Sequence, residues 1–197
     1  MAAGLSEPSR LPGSFLLLPC ELRLKIYRNL LLEPPSTDQK CPRAHSSAAI
    51  LRTNRQIYSE AMPVLYSENE FLAHESMLTS WPRLTRFLEP VRYAESSPMI
   101  RTLLTRFRIR LRLDVDPRFT ASEAATHFSG RYEVVVEVLR PSWRSGPLGT
   151  GPPENLRLFE GVRGVRRARV EGSLGGIKDY AHWLQGLMMS PPKGVDH

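Results

Sequence analysis

Residues 106–115 read Arg-Phe-Arg-Ile-Arg-Leu-Arg-Leu-Asp-Val. Phe107, Ile109, Leu111, Leu113 and Val115 alternate with Arg106, Arg108, Arg110, Arg112 and Asp114. A period of two belongs to a β-strand that packs one face and wets the other. The chain therefore builds a sheet with one packed face and a row of arginines on the other. Along such a strand the arginines stand roughly 6.6 Å apart, a spacing that suits phosphates. The stretch "RYEVVVEVLR" reads as a second strand and offers Glu133 and Glu137 at the same two-residue step. Opposite charges facing across strands are mildly stabilising, so a salt-bridged solvent face is preferred over a nucleic-acid surface. No motif of a nucleic-acid-binding fold is present, and Phe107 belongs to the packed set.

The remaining elements follow from periodicity and breakers. A first helix is expected after Pro19, with Pro at its first position, ending near Leu32 before Pro34-Pro35. A polar loop follows to Ser47, where Ser46 or Ser47 caps a second helix. Ile50, Asn54, Ile57, Ala61 and Leu65 keep helical spacing there, and Pro63 is expected to stop or kink the helix near Ala61–Met62. A short strand is predicted at Glu70–Ala73, then a helix from Ser76 to Leu88 packing Leu78, Trp81, Leu84 and Leu88. "EPVRYAESSPM" and "PSWRSGPLGTGPP" read as loops. "NLRLFEGV" reads as a short helix capped by Asn155 and stopped by Gly161, and "RRARVEG" as a third strand. A last helix, "KDYAHWLQGLMM", puts Tyr180, Trp183, Leu184, Leu187 and Met188 on one face. The expected fold is α+β, with N-terminal helices packed on a small antiparallel sheet with flanking helices. Its segments are a disordered 1–13, a helical region 14–72, an α+β region 73–190 and a tail 191–197.

Composition sets the outer limits. The chain has 197 residues, 41% hydrophobic, which is enough for a packed core. Its net charge of +7 is uneven. Residues 1–72 carry 8 Lys/Arg and 7 Asp/Glu, and residues 73–197 carry 19 and 13. Cys20 and Cys41 match no zinc spacing and read as reduced thiols. The apolar run Phe15–Leu18 stops at Pro19 and meets Glu21 and Arg23, unlike a signal peptide. No stretch approaches the roughly 20 apolar residues of a membrane span. The expected location is cytoplasmic or nuclear.

The first helix carries two apolar stripes. Leu18, Leu22, Ile26 and Leu30 recur at four-residue steps, and Leu24, Tyr27 and Leu31 form a second row around the helix. A surface helix needs one stripe. Two arrangements are open: both stripes lie in one core, or one packs at home while the other meets another molecule.

Here the residues carry a resemblance. "LLLPCELRLKIYRNLL" resembles the opening of an F-box, in which Leu-Pro and Glu-Leu lead a helix with an Ile-x-x-x-Leu ending. "AAILRTNRQIYSEAMPVLYSENEF" resembles the second signature of a group of fungal F-box-like proteins. Leu51, Thr53, Arg55, Gln56, Ile57, Tyr58, Glu60, Ala61, Leu65, Tyr66, Asn69 and Phe71 match it, with Asn54 where that group usually has Cys. "LRLFEGVRGVRRARVEGSL" and "YAHWLQGLMMSPP" look like the tail of the same group. The resemblance implies docking on the Skp-type adaptor of cullin–RING ubiquitin ligases. The contacts it implies are Leu18, Pro19, Leu22, Ile26 and Leu30, with Leu51 and Ile57 behind them. Within "RQIYSEA", Tyr58 is expected to be a core anchor, and Arg55 and Glu60 to hold the second helix to its neighbour.

Catalysis finds no foothold in the pattern. His45, His74, His127, His182 and His197 are scattered without metal-ligand spacing. "GVRGVRR" lacks the Gly-Lys-Ser/Thr end of a phosphate loop. The chain is expected to be a non-enzymatic interaction module without cofactor or metal. The resemblance implies a substrate-binding subunit of a ubiquitin ligase, holding an as yet unidentified substrate protein. The alternatives are a basic nucleic-acid-associated protein using Arg106, Arg108, Arg110 and Arg112, and a scaffold without a ligase link.

Overall fold

A computed structural model of the chain describes residues 15–33, 48–84, 98–139 and 153–192. The readings at 1–13, the polar loop with Ser46 and Ser47, Leu88, Cys41, His45 and His197 lie outside the described residues. So do most of the two Pro/Gly-containing loops and most of the tail.

The fold is α+β. Among the described residues six α-helices, α1 Cys20–Leu31, α2 Arg55–Glu68, α3 Pro98–Leu103, α4 Ala121–Phe128, α5 Glu154–Arg157 and α6 Lys178–Met189, accompany five strands. These are β1 Phe71–His74, β2 Leu78–Leu84, β3 Arg106–Arg112, β4 Glu133–Leu139 and β5 Arg167–Gly172. They form one sheet in the order β2-β1-β3-β4-β5. Among the described strands only β1 and β2 are antiparallel. The pairs β1/β3, β3/β4 and β4/β5 are parallel, which corrects the expected antiparallel sheet. The reason is connectivity. Parallel neighbours need a crossover long enough for a helix, and α3, α4 and α5 supply one after another. Alternating polarity suggested an antiparallel sheet because parallel sheets are ordinarily covered on both faces. Here the second face is polar.

The packed face is continuous. Phe71 sits beside Phe107, Phe107 beside Val134 and Val134 beside Ala168. All four are buried. Phe128 of α4 meets Phe107 edge-on at 6.3 Å between ring centroids, and Phe159 after α5 lies 5.8 Å from Phe128. Tyr66 of α2 stacks on Phe71 at 6.2 Å. Thus α2, α4 and the turn after α5 cover the same side of the sheet.

Several local readings change. Residues 78–84 form edge strand β2 rather than a helix. Its Pro82 sits where a missing N–H is tolerated, on an edge strand. Pro63 does not stop α2, which runs on to Glu68. The carbonyl that loses its helical partner belongs to exposed Ser59, and the turn beyond Pro63 buries Val64 and Leu65. Asn155 is not a cap, since Pro153 holds that position. Its Nδ2 instead donates to the carbonyls of Arg112 and Val115, both at 2.8 Å, tying α5 to the end of β3. The inward face of α6 is Ala181, Leu184 and Met188, while Trp183 is exposed and lies against Tyr180. Helix α4, absent from the sequence reading, begins with a capping box in which Thr120 and Glu123 bond reciprocally.

Gly172 ends β5 with φ +98°, a conformation L side chains rarely adopt, and a Cβ there would run into the Val138 carbonyl of β4. Gly172→Ala is expected to lower stability by roughly 1–3 kcal/mol through backbone strain alone. A urea titration checks this, and an unchanged midpoint contradicts it.

Candidate functional site

The two stripes of α1 meet different surroundings. Arg23, Tyr27 and Leu31 are buried against α2, whereas Leu22 and Leu30 are exposed and Ile26 is half-buried. What turns the helix this way is a polar lock. The Arg23 guanidinium donates to both oxygens of Glu60, from Nε at 2.8 Å and from Nη2 at 2.6 Å. Arg23 Nη1 donates to the carbonyls of Leu16 and Leu18, fixing the turn that enters α1. Tyr27 Oη donates to Glu60 at 3.0 Å, and Gln56 Nε2 donates to it from within α2 at 2.9 Å. Arg23, Gln56 and Tyr27 together hold the Glu60 carboxyl down at about 2. Burial, followed by the bond to Glu60, pushes the Tyr27 phenol up to about 12. At the far end, buried Asn69 donates to the last carbonyls of both helices, Leu31 and Leu65, each at 2.9 Å. Its Oδ1 accepts from Glu33 N.

These contacts give the second sequence signature a physical meaning. Ile57 and Ala61 are core, Gln56 and Glu60 form the lock, Asn69 clamps the helix ends, and Phe71 starts the sheet core. Two assignments change. Tyr58 is 45% exposed and is no core anchor. Arg55 is exposed, and the cation that holds Glu60 is Arg23, which the sequence reading left unassigned. A cation spaced four residues before an inward tyrosine on an otherwise apolar row was the available signal.

Of the adaptor-contact residues, Leu22 and Leu30 stand open on α1, Ile26 lies half-buried between them, and Pro19 is exposed at its N-cap. Leu18 is half-buried, and the neighbouring Leu17 is 78% exposed. Ile57 is core. Leu51 is half-buried and lines a shallow hollow of about 330 Å³ with Arg55 and Tyr58.

The arginine row lies on the polar face of the sheet, each of its four members within 4 Å of a carboxylate. Arg106 reaches Glu133 at 3.7 Å, Arg110 reaches Glu137 at 3.1 Å, and Arg112 reaches Asp114 at 2.8 Å. Arg108 departs from the expected solvent exposure: it is buried. It bonds Glu70 at 2.6 Å, bonds Glu171, and lies 3.5 Å from Glu137. Glu137 and Glu171 face each other in register, a like-charge pair that Arg108 separates. Burial works against its charge, but the bonds from Glu70 and Glu171 outweigh it and hold the guanidinium pKa above its ordinary value. The strand ends at Arg112; Leu113 beyond it is half-buried but still packs against the core, whereas Val115 is exposed and lies outside the packed row.

Among the described residues no group of three or more His, Cys, Asp or Glu is placed to hold a metal ion. No helix there is long and apolar enough to cross a membrane.

The molecule is thus a locked helical pair with an open apolar stripe, set on a one-sided mixed sheet. The chain belongs to the family described as Domain of unknown function (DUF7730), whose model matches residues 33–139, more than half of its length. The matched stretch takes in α2 and β1 to β4 and omits α1, β5 and α6. No curated protein and no solved structure matches the chain.

Two outcomes follow from these networks. Glu60 is depressed from 4.5 to about 2, so its contribution is complete above the upper value and is lost as pH falls through the lower. Melting temperature measured between those limits is expected to fall with acidification, and to fall less steeply in Glu60→Gln, which starts lower at neutral pH. On the sheet, Arg110→Gln is expected to cost about 0–1 kcal/mol. Arg108→Gln, which removes the buried cation shared by Glu70, Glu137 and Glu171, is expected to cost on the order of 3 kcal/mol. Paired urea titrations check the ranking, and equal costs contradict it.

Proposed function

We propose that this chain is a non-enzymatic, F-box-like interaction subunit whose α1 docks on the Skp-type adaptor of a cullin–RING ubiquitin ligase, leaving the sheet region to hold a substrate protein. The observation that carries the reading is the row Leu22–Ile26–Leu30, open at its two leucines, with Leu17 and Pro19 before it, on a helix anchored by the neighbouring row Arg23–Tyr27–Leu31. Each large aliphatic side chain covered by a partner contributes roughly 1.5–3 kcal/mol. Four or five such groups supply the apolar centre that a specific interface requires. The resemblance of "LLLPCELRLKIYRNLL" to an F-box opening supplies the partner's class. The nucleic-acid alternative gains nothing from the arginine row, because every one of its four arginines already meets a carboxylate.

Leu22→Asp combined with Ile26→Asp is expected to abolish co-purification of the adaptor and cullin while the melting transition survives. Survival is expected because Leu22 is open and Ile26 only half-buried. Unfolding of the whole chain by this pair places the stripe in the core. A wild-type chain that recovers neither adaptor nor cullin rejects the ligase reading and leaves the scaffold one.

A further inference from the structure

A cleft of about 530 Å³ opens beside the N-terminal end of β3, away from the arginine row and the α1 stripe. Thr79 and Ser80 of β2, Arg101 of α3, Leu104, Phe107, His127 of α4 and Arg131 line it. The lining is mostly polar and, among the described residues, holds no carboxylate.

Arg131 differs from the four arginines of the β3 row, each of which meets a carboxylate. Its Nε donates to the His127 carbonyl and its Nη1 to the Leu104 carbonyl, both at 2.9 Å. Its guanidinium stands 5.3 Å from the Phe107 ring centroid. No described carboxylate pairs with it, and its Nη2 has no hydrogen-bond partner among the described residues. Burial pushes its pKa below the ordinary value. A guanidinium fixed by two neutral carbonyls and an aromatic face keeps its full charge to offer. Beside it, Thr79 Oγ1 lies 2.6 Å from His127 Nδ1, which fixes that ring and leaves Nε2 without a described partner.

We propose that this cleft is an oxyanion site, built for a phosphate or phosphate monoester, with Arg131 as the principal ligand and His127, Thr79, Ser80 and Arg101 around it. Donors on four separate segments suit a tetrahedral group whose oxygens point in several directions. A carboxylate offers two oxygens in one plane and is met by a single arginine fork. The volume lies in the range of small-molecule sites and exceeds what a bare anion fills, which leaves room for the group that carries the ester. His127 reports on occupancy. Burial first, and the Arg131 charge second, hold its pKa below the usual value, opposed by Glu123 one turn earlier on α4. Arg101 of α3 lines the same space. A bound dianion offsets the Arg131 charge and raises the His127 pKa.

The site is independent of adaptor docking, and its test uses the purified chain alone. The His127 ring resonances are followed by NMR at constant ionic strength, with chloride as the reference. Inorganic phosphate, N-acetylphosphoserine amide and acetate are titrated separately. Saturable shifts with phosphate or the phosphoserine derivative, and an upward move of the His127 pKa, are expected. Tighter binding of the derivative assigns an esterified ligand, and tighter binding of inorganic phosphate a free one. Arg131→Lys, which keeps charge but loses the fork, is expected to weaken binding at least tenfold. Should that variant unfold, Thr79→Val, which keeps shape and removes one hydroxyl, is expected to weaken it several-fold. Phosphate acting no differently from chloride overturns the proposal, as does acetate binding more tightly than phosphate. Undiminished binding in a folded Arg131→Lys or Thr79→Val protein overturns it too.

Discussion

Glu60 accepts hydrogen bonds from Arg23 and Tyr27 of one helix and from Gln56 of its own. Either apolar row of α1 has the side chains to pack on a neighbour, and hydrophobic burial alone does not choose between them. Burying Arg23 without a partner is far costlier than exposing a leucine. The carboxylate therefore sets the rotation of α1. Arg23, Tyr27 and Leu31 turn inward, and Leu22 and Leu30 are left in water. Asn69 repeats the logic at the other end, satisfying two helix-terminal carbonyls that burial would otherwise strand. The exposed stripe is thus a consequence of polar satisfaction on the neighbouring row of the same helix.

That origin explains how much of the molecule could be read from residues alone. The double stripe was visible in the spacing of Leu18, Leu22, Ile26 and Leu30 beside Leu24, Tyr27 and Leu31. Its orientation was not, because Arg23 and Glu60 lie far apart in sequence and only tertiary structure joins them. Strand β3 was unmistakable, since its alternation is local. Its parallel pairing was hidden, because alternation reports which faces are wet and not which way a neighbour runs. Thr120 and Glu123, three apart before a small-residue run, were the legible sign of crossover helix α4. Strand β2 imitated a helix because Leu78, Trp81 and Leu84 fall three apart. Position on the edge of the sheet, unknowable locally, let it keep Pro82. The cleft around Arg131 was illegible for the same reason, with its residues drawn from β2, α3, β3 and α4.

The wet face of a parallel sheet raises its own physical question, since such sheets are ordinarily covered on both sides. Val135 lies on that face, flanked in register by Arg108 of β3 and Arg169 of β5, and is fully buried. Arginine stems cover apolar surface while their charged heads stay hydrated. Arg108 and Arg169, drawn over the strand by Glu70, Glu171 and Glu133, form a thin polar layer in place of helices. The ion pairs matter less for their own energy than for holding those stems flat.

The same arrangement redirects the meaning of the net charge. Arg106, Arg108, Arg110, Arg112, Arg167 and Arg169 share their face with Glu70, Glu133, Glu137, Glu171 and Asp114, so the face comes close to neutrality. A field that gathers a polyanion needs uncompensated charge along a surface. The row of arginines that dominates the sequence therefore does structural work, and its basic pattern is a poor guide to partners. Among the described residues Arg131 meets no carboxylate: carbonyls and an aromatic ring hold its guanidinium without neutralising it. In this chain the number of arginines predicts little. What each one is bonded to separates the β3 row, which holds the sheet together, from Arg131, which meets no described carboxylate.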